Sequence, residues 1–280
     1  MRTASAARCR HLHRFVSLSD TLGGVADATP DTVIGKVVVL LHAFGADDYE
    51  LSLAELVRRT GLHKATAYRL ANELADNRLL EKTSSGYRLS GALFELGMRA
   101  STERSLLEIA MPFLQDLYER THETVHLGVL DGLEVVYVAK IGGHRQAAAP
   151  SRTGGRMPLH CTGIGKALLA HADPGLRGRV LSRPLERWTP RTVVAPGLLA
   201  RQLDAAVESG VAFEREESAV GITCVAAPIF DVATNAVIAA ISVTGPVTRF
   251  RPETQVDAVR AAAAGIGSTL NRRRTLTESR

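Results

Sequence analysis

Cysteine is scarce in this chain: Cys9, Cys161 and Cys224 are the three present, with no Cys-x-x-Cys and no Cys/His pair spacing among them. An odd, scattered set argues against a disulfide scaffold or a zinc ribbon and predicts reduced thiols in a cytoplasmic protein. The nine histidines lack a His-Glu-x-x-His or comparable metal spacing, so neither metal nor cofactor is expected. Aromatic residues are 5% of the total, with one tryptophan, so rings contribute little to the core. No apolar run approaches the ~20 residues of a membrane helix, and no membrane partner is expected. The N-terminus begins basic, but no apolar core leads to a small-residue cleavage site, so no secretory signal is read there. No internal repeat of solenoid length is visible.

Charge of one sign is also missing from most of the chain. The net charge is +5 over 280 residues, yet it lies in the tails. Residues 1–30 carry four arginines against two aspartates, and residues 271–280 carry four arginines against one glutamate. The intervening residues balance. Global basicity is therefore weak evidence for nucleic acid, and a local footprint must carry that argument. The length suits one small and one larger domain. The expected organisation is a disordered basic extension (1–30), a DNA-binding domain (31–91), a linker helix (92–104) and an effector-binding domain (105–275).

What is present begins with "SLAELVRRTGLHKATAYRLANEL", residues 52–74. Ser52 and Glu55 have capping-box spacing, with the glutamate reaching back to the first turn. Leu53, Leu56 and Val57 form an apolar stripe, and Gly61 suits a left-handed C-cap. Ala67, Leu70, Ala71 and Leu74 make the inward stripe of a second helix. Lys64, Thr66, Tyr68, Arg69 and Asn72 fall outside it. A preceding helix, "DTVIGKVVVLLHAFG", is expected to bury Val33, Val37, Leu40, Leu41 and Phe44, with Asp31 or Thr32 as its cap. Three such helices predict a helix-turn-helix whose second helix enters the major groove. An ordinary helical hairpin with a solvated face fits residues 52–74 equally well. "RLLEKTSSGYRLS" then predicts a two-stranded wing turning at Ser84-Ser85-Gly86, which favours the DNA reading. Arg58, Arg59, Lys64 and Arg69 are the local basic cluster; Lys82 and Arg88 suit phosphate contacts.

The remainder reads as hairpins with helices interspersed. "ETVHLGVLDGLEVVYVAKIG" turns at Asp131-Gly132, and "TCVAAPIFDVATNAVIAAISVTGP" turns near Ala233-Thr234-Asn235. Helices are expected at "SLLEIAMPFLQDLYERT", after Gly163, at "PGLLARQLDAAVESG" and at "PETQVDAVRAAAAGIGSTLNRRR". This order predicts an α+β domain and argues against a doubly wound parallel sheet.

The stretch "LHCTGIGKALLA" admits several chemistries. Its Gly-x-Gly-Lys lacks the spacing of a phosphate-binding loop. Cys161 beside His160 has no orienting acid apparent in sequence, which favours a small buried side chain. Gly163 and Ile164 sit where the chain turns into a helix, and free amides there suit a carboxylate. A tight structural turn explains the same residues.

Several segments in register, "LSLAELVRRTGLHKATAYRL", "ETVHLGVLDGLEVVYVAK", "GGRMPLHCTGIGKALLA", "ERWTPRTV", "GITCVAAPIFD" and "AAISVTGP", resemble the IclR family of bacterial transcription regulators over roughly residues 32–273. The resemblance implies an N-terminal winged helix-turn-helix and a C-terminal GAF-like effector domain, in dimers or dimers of dimers on operator DNA. It implies effector contacts at Gly163, Ile164, Glu214, Cys224, Ser242 and Thr244, and in the segment around Gln146. Glu214 is longer than the aspartate some members carry, Gln146 is polar where an apolar residue is familiar, and Ile164 is bulky where alanine can occur. The expected function is a repressor controlled by a small organic acid. The alternatives are a cysteine- or lysine-dependent hydrolase or transferase on residues 105–275, and a structural nucleoid-binding protein, which the neutral middle disfavours.

Overall fold

The computed structural model describes residues 32–99, 101–142 and 149–278 and divides into two compact units, Met1–Leu93 and Phe94–Arg280. The expected basic extension, Cys9 and Gln146 lie outside the described residues.

The first unit packs α1 (Val33–His42), α2 (Leu53–Thr60) and α3 (Lys64–Asp76) against a hairpin of β1 (Leu80–Lys82) and β2 (Tyr87–Leu89). Thr32 caps α1, its hydroxyl accepting from the Gly35 amide at 3.0 Å, and Ser52 caps α2 through the Glu55 amide at 3.2 Å. Gly61 ends α2 at φ 68°, a left-handed conformation that glycine adopts at least cost. Leu40, Leu56, Ala67, Leu70, Ala71, Leu74, Leu80 and Tyr87 form the core. An isolated bridge between Leu51 and Tyr87 ties the hairpin to the segment before α2. Two expectations are corrected. Val33 is 57% exposed, because a ten-residue helix needs little more than the Leu40 face to cover this small core. Glu55 does not close the capping box; Arg58 and Arg59 draw its carboxylate away along the helix.

After α4 (Gly91–Gly97) and α5 (Ser101–Thr121), the second unit forms one antiparallel six-stranded sheet. Its strands are β3 (Thr124–Asp131), β4 (Glu134–Ile141), β5 (Arg156–Pro158), β6 (Ala212–Arg215), β7 (Ile222–Phe230) and β8 (Val237–Pro246), in the order β5-β4-β3-β8-β7-β6. Both expected hairpins form, and β3 joins β8 to fuse them. Residue alternation assigns the two faces. Val125, Leu127, Val225, Ala227, Ala239, Ile241 and Val243 meet α5 and the C-terminal α9 (Val256–Glu278). The intervening positions meet α6 (Gly163–Ala170), α7 (Pro174–Leu181) and α8 (Pro196–Ser209). Both faces are thus covered by helices although the sheet is wholly antiparallel.

Candidate functional site

In the first unit the outer side of α3 carries Lys64, Tyr68 and Arg69 exposed, with Thr66 half-buried. Arg69 reaches to Glu73, one turn on, at 3.1 Å. Asn72 turns back instead: its amide nitrogen donates to the Tyr68 carbonyl at 2.9 Å, and its side-chain oxygen faces the Tyr87 hydroxyl at 3.4 Å, linking α3 to the wing. Arg58 is exposed and paired with Glu55, whose carboxyl the two neighbouring arginines hold down to about 2.

Arg59 requires a correction. Its guanidinium grips both oxygens of Asp48, donates to the Ala43 carbonyl at 2.9 Å and meets Glu55 at 2.7 Å. It staples the loop after α1 to α2, and four of its five N–H groups are spent on these bonds. Arg59→Ala is expected to lower the unfolding free energy of this unit by about 1–3 kcal/mol, because the Ala43 carbonyl and Asp48 lose a charged donor. Operator affinity measured well below the melting temperature should stay near the parent's; a large loss of affinity in a fully folded variant would restore Arg59 to the DNA contacts.

The wing is more acidic than expected. Arg88 binds Glu81 at 2.5 and 2.8 Å and donates to the Tyr49 hydroxyl at 2.6 Å, over whose ring it stacks. Glu50 accepts from the Ser85 hydroxyl at the tip. Lys82 stands exposed. Of the expected phosphate contacts, Lys82 is thus the more available and Arg88 already shares its charge.

In the second unit, strand register builds a pocket. Glu214, Cys224 and Thr244 lie opposite one another on β6, β7 and β8; Ala226, Ser242 and His126 do the same on β7, β8 and β3. All stand on the face toward α6. Above them Thr162 caps α6 by accepting from the Gly165 amide at 3.1 Å, which leaves the preceding amides of Gly163 and Ile164 without partners inside the helix. A side chain at Gly163 would meet the Cys224 sulfur at 2.7 Å, so only glycine brings α6 this near β7. Gly163, Ile164, Glu214, Cys224, Ser242 and Thr244 all line one cavity of about 20 Å³. That is room for roughly one water.

The lining is polar but largely uncharged. His126 is buried, with its Nε2 at 2.7 Å from the Ser151 hydroxyl and its Nδ1 at 3.4 Å from that of Ser242. Burial, with Lys140 adding to it, pushes this imidazole down to about 3 and keeps it neutral. The sequence pointed to neither His126 nor Ser151; the available signal was a histidine at an alternating position within an apolar strand. Burial pushes the thiols of Cys161 and Cys224 up to about 12. His160 engages the Glu186 carbonyl at 2.9 Å. A buried thiol so held is a poor nucleophile. Glu214 turns inward, its Oε1 accepting from the amides of Glu217 at 2.6 Å and Ser218 at 3.0 Å. The amides of the 217–218 turn hold the carboxyl in.

Comparison with known proteins decides the family. The model for the IclR helix-turn-helix domain matches residues 33–84, and that for the bacterial transcriptional regulator IclR C-terminal domain matches residues 98–268. The chain belongs to the IclR family of bacterial transcriptional regulators. It is 36% identical over 232 residues to the HTH-type transcriptional regulator KdgR of Escherichia coli K12, covering 81% of this chain and 88% of that protein. It is 30% identical over 225 residues to the HTH-type transcriptional repressor AllR of the same strain, covering 78% and 83%. The crystal structure of an IclR homolog complexed with 4-hydroxybenzoate, from Microbacterium hydrocarbonoxydans, superposes with a TM-score of 0.81 at 33% identity, covering 86% of this chain and 99% of that one. No helix among the described residues of this IclR-family chain is long and apolar enough to cross a membrane.

Proposed function

We propose that this IclR-family regulator is a repressor whose hold on its operator is set by a small organic acid bound against the first turn of α6. Residues 31–91 bind DNA, 92–104 link, and 105–275 hold the effector. One observation carries the reading: strand register and the α6 cap converge on one cavity, with hydroxyls of Ser242 and Thr244 on one side and unpaired amides of Gly163 and Ile164 on the other. Those donors suit a carboxylate. The 4-hydroxybenzoate bound by the Microbacterium homolog is an acid of this class, and AllR is a repressor. Lys64, Thr66, Tyr68 and Arg69 read bases, while Arg58, Lys82 and, more weakly, Arg88 meet phosphates. The protein acts in the cytoplasm as a homodimer or dimer of dimers, because one winged domain covers too short a site for genomic specificity. Exposed Val33, Ile34, Phe94, Leu96 and Met98 provide apolar surface for that association.

A ligand shifts operator binding only through unequal affinity for two protein states. The double variant Ser242→Ala, Thr244→Val removes two hydrogen-bonding groups worth about 0.5–1.5 kcal/mol each. It should bind operator as the parent does and release it only at an effector concentration raised roughly tenfold or more. The check is operator affinity against 4-hydroxybenzoate and other small acids, parent beside variant; an unshifted response would place the effector elsewhere.

A further inference from the structure

We infer that the pocket takes up its acid effector together with one proton, held between the effector carboxylate and Glu214. The inference rests on the acid-effector reading above and adds to it the ionisation state of the bound pair.

The geometry of the charged groups leads there. Glu214 is 1% exposed and lines the cavity, and the hydrogen bonds to its carboxyl all fall on Oε1, from the Glu217 amide, the Ser218 amide and the Ser218 hydroxyl. Among the described residues its neighbours contribute no spare positive charge. On α6, Lys166 is buried and commits its ammonium to Glu217 Oε1 at 2.5 Å and the Phe213 carbonyl at 3.4 Å. Glu217 keeps its Oε2 buried without a hydrogen-bond partner, so that ion pair is already saturated with negative charge. Tyr137 on β4, Cys161 before α6 and Cys224 on β7 all have their pKa values pushed up, chiefly by burial, and remain neutral. His126 on β3 is neutral as well. Lys140, next along the same row, donates to the Ser151 carbonyl at 2.7 Å and is not part of the cavity wall. Among the described residues no lysine or arginine lines the cavity.

Among the described residues, an ionised Glu214 would thus be a buried anion with no cation of its own. Burial raises its carboxyl to about 7, with the Glu217 charge adding and the two amides and Lys166 opposing. A second carboxylate placed in the same low-dielectric space cannot coexist with it ionised; one of the two must hold a proton. The balance is effector carboxylate plus Glu214 carboxylate plus one solvent proton giving one shared, singly charged pair. The protonated oxygen then donates to the other acid, and the Gly163 and Ile164 amides receive the remaining charge.

The sign of the pH dependence follows. Below about pH 6 Glu214 already carries its proton, so binding is insensitive to pH and takes up none. Above pH 7 each bound acid must bring a proton from solvent, and affinity falls up to tenfold per pH unit.

The test titrates 4-hydroxybenzoate and its uncharged analogue 4-hydroxybenzamide into the full-length protein by calorimetry, at pH 6, 7 and 8, in two buffers of different ionisation heat. The expected result is an acid that weakens about tenfold between pH 7 and 8 with close to one proton taken up, beside an amide that changes little and takes up none. Glu214→Gln should remove the acid's pH dependence. An acid that binds the parent equally at pH 6 and 8 without proton uptake overturns the inference. The parent's own glutamate carboxyls, followed by ¹³C NMR without ligand, provide a variant-free reading: one should titrate near neutrality, and none doing so overturns the inference even where neither probe binds. Failure of both probes to bind, with that neutral titration present, counts instead against the acid-effector reading.

Discussion

Lys166→Ala is expected to destabilise the C-terminal unit by about 3–5 kcal/mol, the usual consequence of leaving a buried charge without its partner. Lys166 is among the largest fully buried side chains, and Glu217 beneath it is shielded almost as completely. The lysine's loss strands the Glu217 carboxylate in a site where one oxygen already lacks a partner. The turn carrying Glu217 also supplies the amides that hold Glu214, so the damage should spread to the pocket wall. Urea unfolding followed by the far-ultraviolet signal is the measurement. The paired replacement Lys166→Met, Glu217→Leu removes both charges and should recover much of the loss, since apolar pairs of similar volume often replace a buried ion pair at little cost. A single variant as stable as the parent would show that the pair contributes nothing and that water reaches Glu217.

Arg69→Ala should weaken specific operator binding roughly ten- to a hundredfold, while binding to unrelated DNA changes far less. An arginine that reads a guanine edge supplies discrimination of that order. Arg69 stands exposed on the outer side of α3, opposite the Ala67, Leu70 and Ala71 stripe, and its partner among the described residues is the surface Glu73. Losing that surface pair costs the fold little. Footprinting and affinity measurements at fixed salt, on operator and scrambled duplex, distinguish the outcomes. Equal losses on both duplexes would make Arg69 a phosphate contact, and no loss on either would move base reading elsewhere on α3.

Much of this protein was legible because its signals are local. Capping hydroxyls at Thr32 and Ser52, the glycine at 61 and the turns at Asp131-Gly132 and Ala233-Thr234-Asn235 act within a few residues, and the structure uses each. Hairpin order against helix order was enough for an α+β domain, since it needs only alternation and turn chemistry. The sequence misjudged what depends on competition between distant groups. Arg59 looked like one more surface cation of a basic cluster, yet Asp48, eleven residues earlier, captures it. Arg88 looked free beside a polar turn, but cross-strand pairing sets it against Glu81.

By itself the sequence determined the two-part organisation, the three helices and wing, and the family, because propensity, capping and residue order survive without knowledge of contacts. Tertiary structure alone decided which polar residues share a site. Glu214, Cys224 and Thr244 become neighbours only when β6, β7 and β8 pair in this register, and a shift of one residue would turn them toward α5 and α9. His126 entered the pocket because β3 leaves its own hairpin partner on one side to pair with β8 on the other. The charge state of the pocket was decided the same way. Burial neutralises His126 and raises Glu214, and burial is a property of the packed sheet and helices rather than of any stretch of chain.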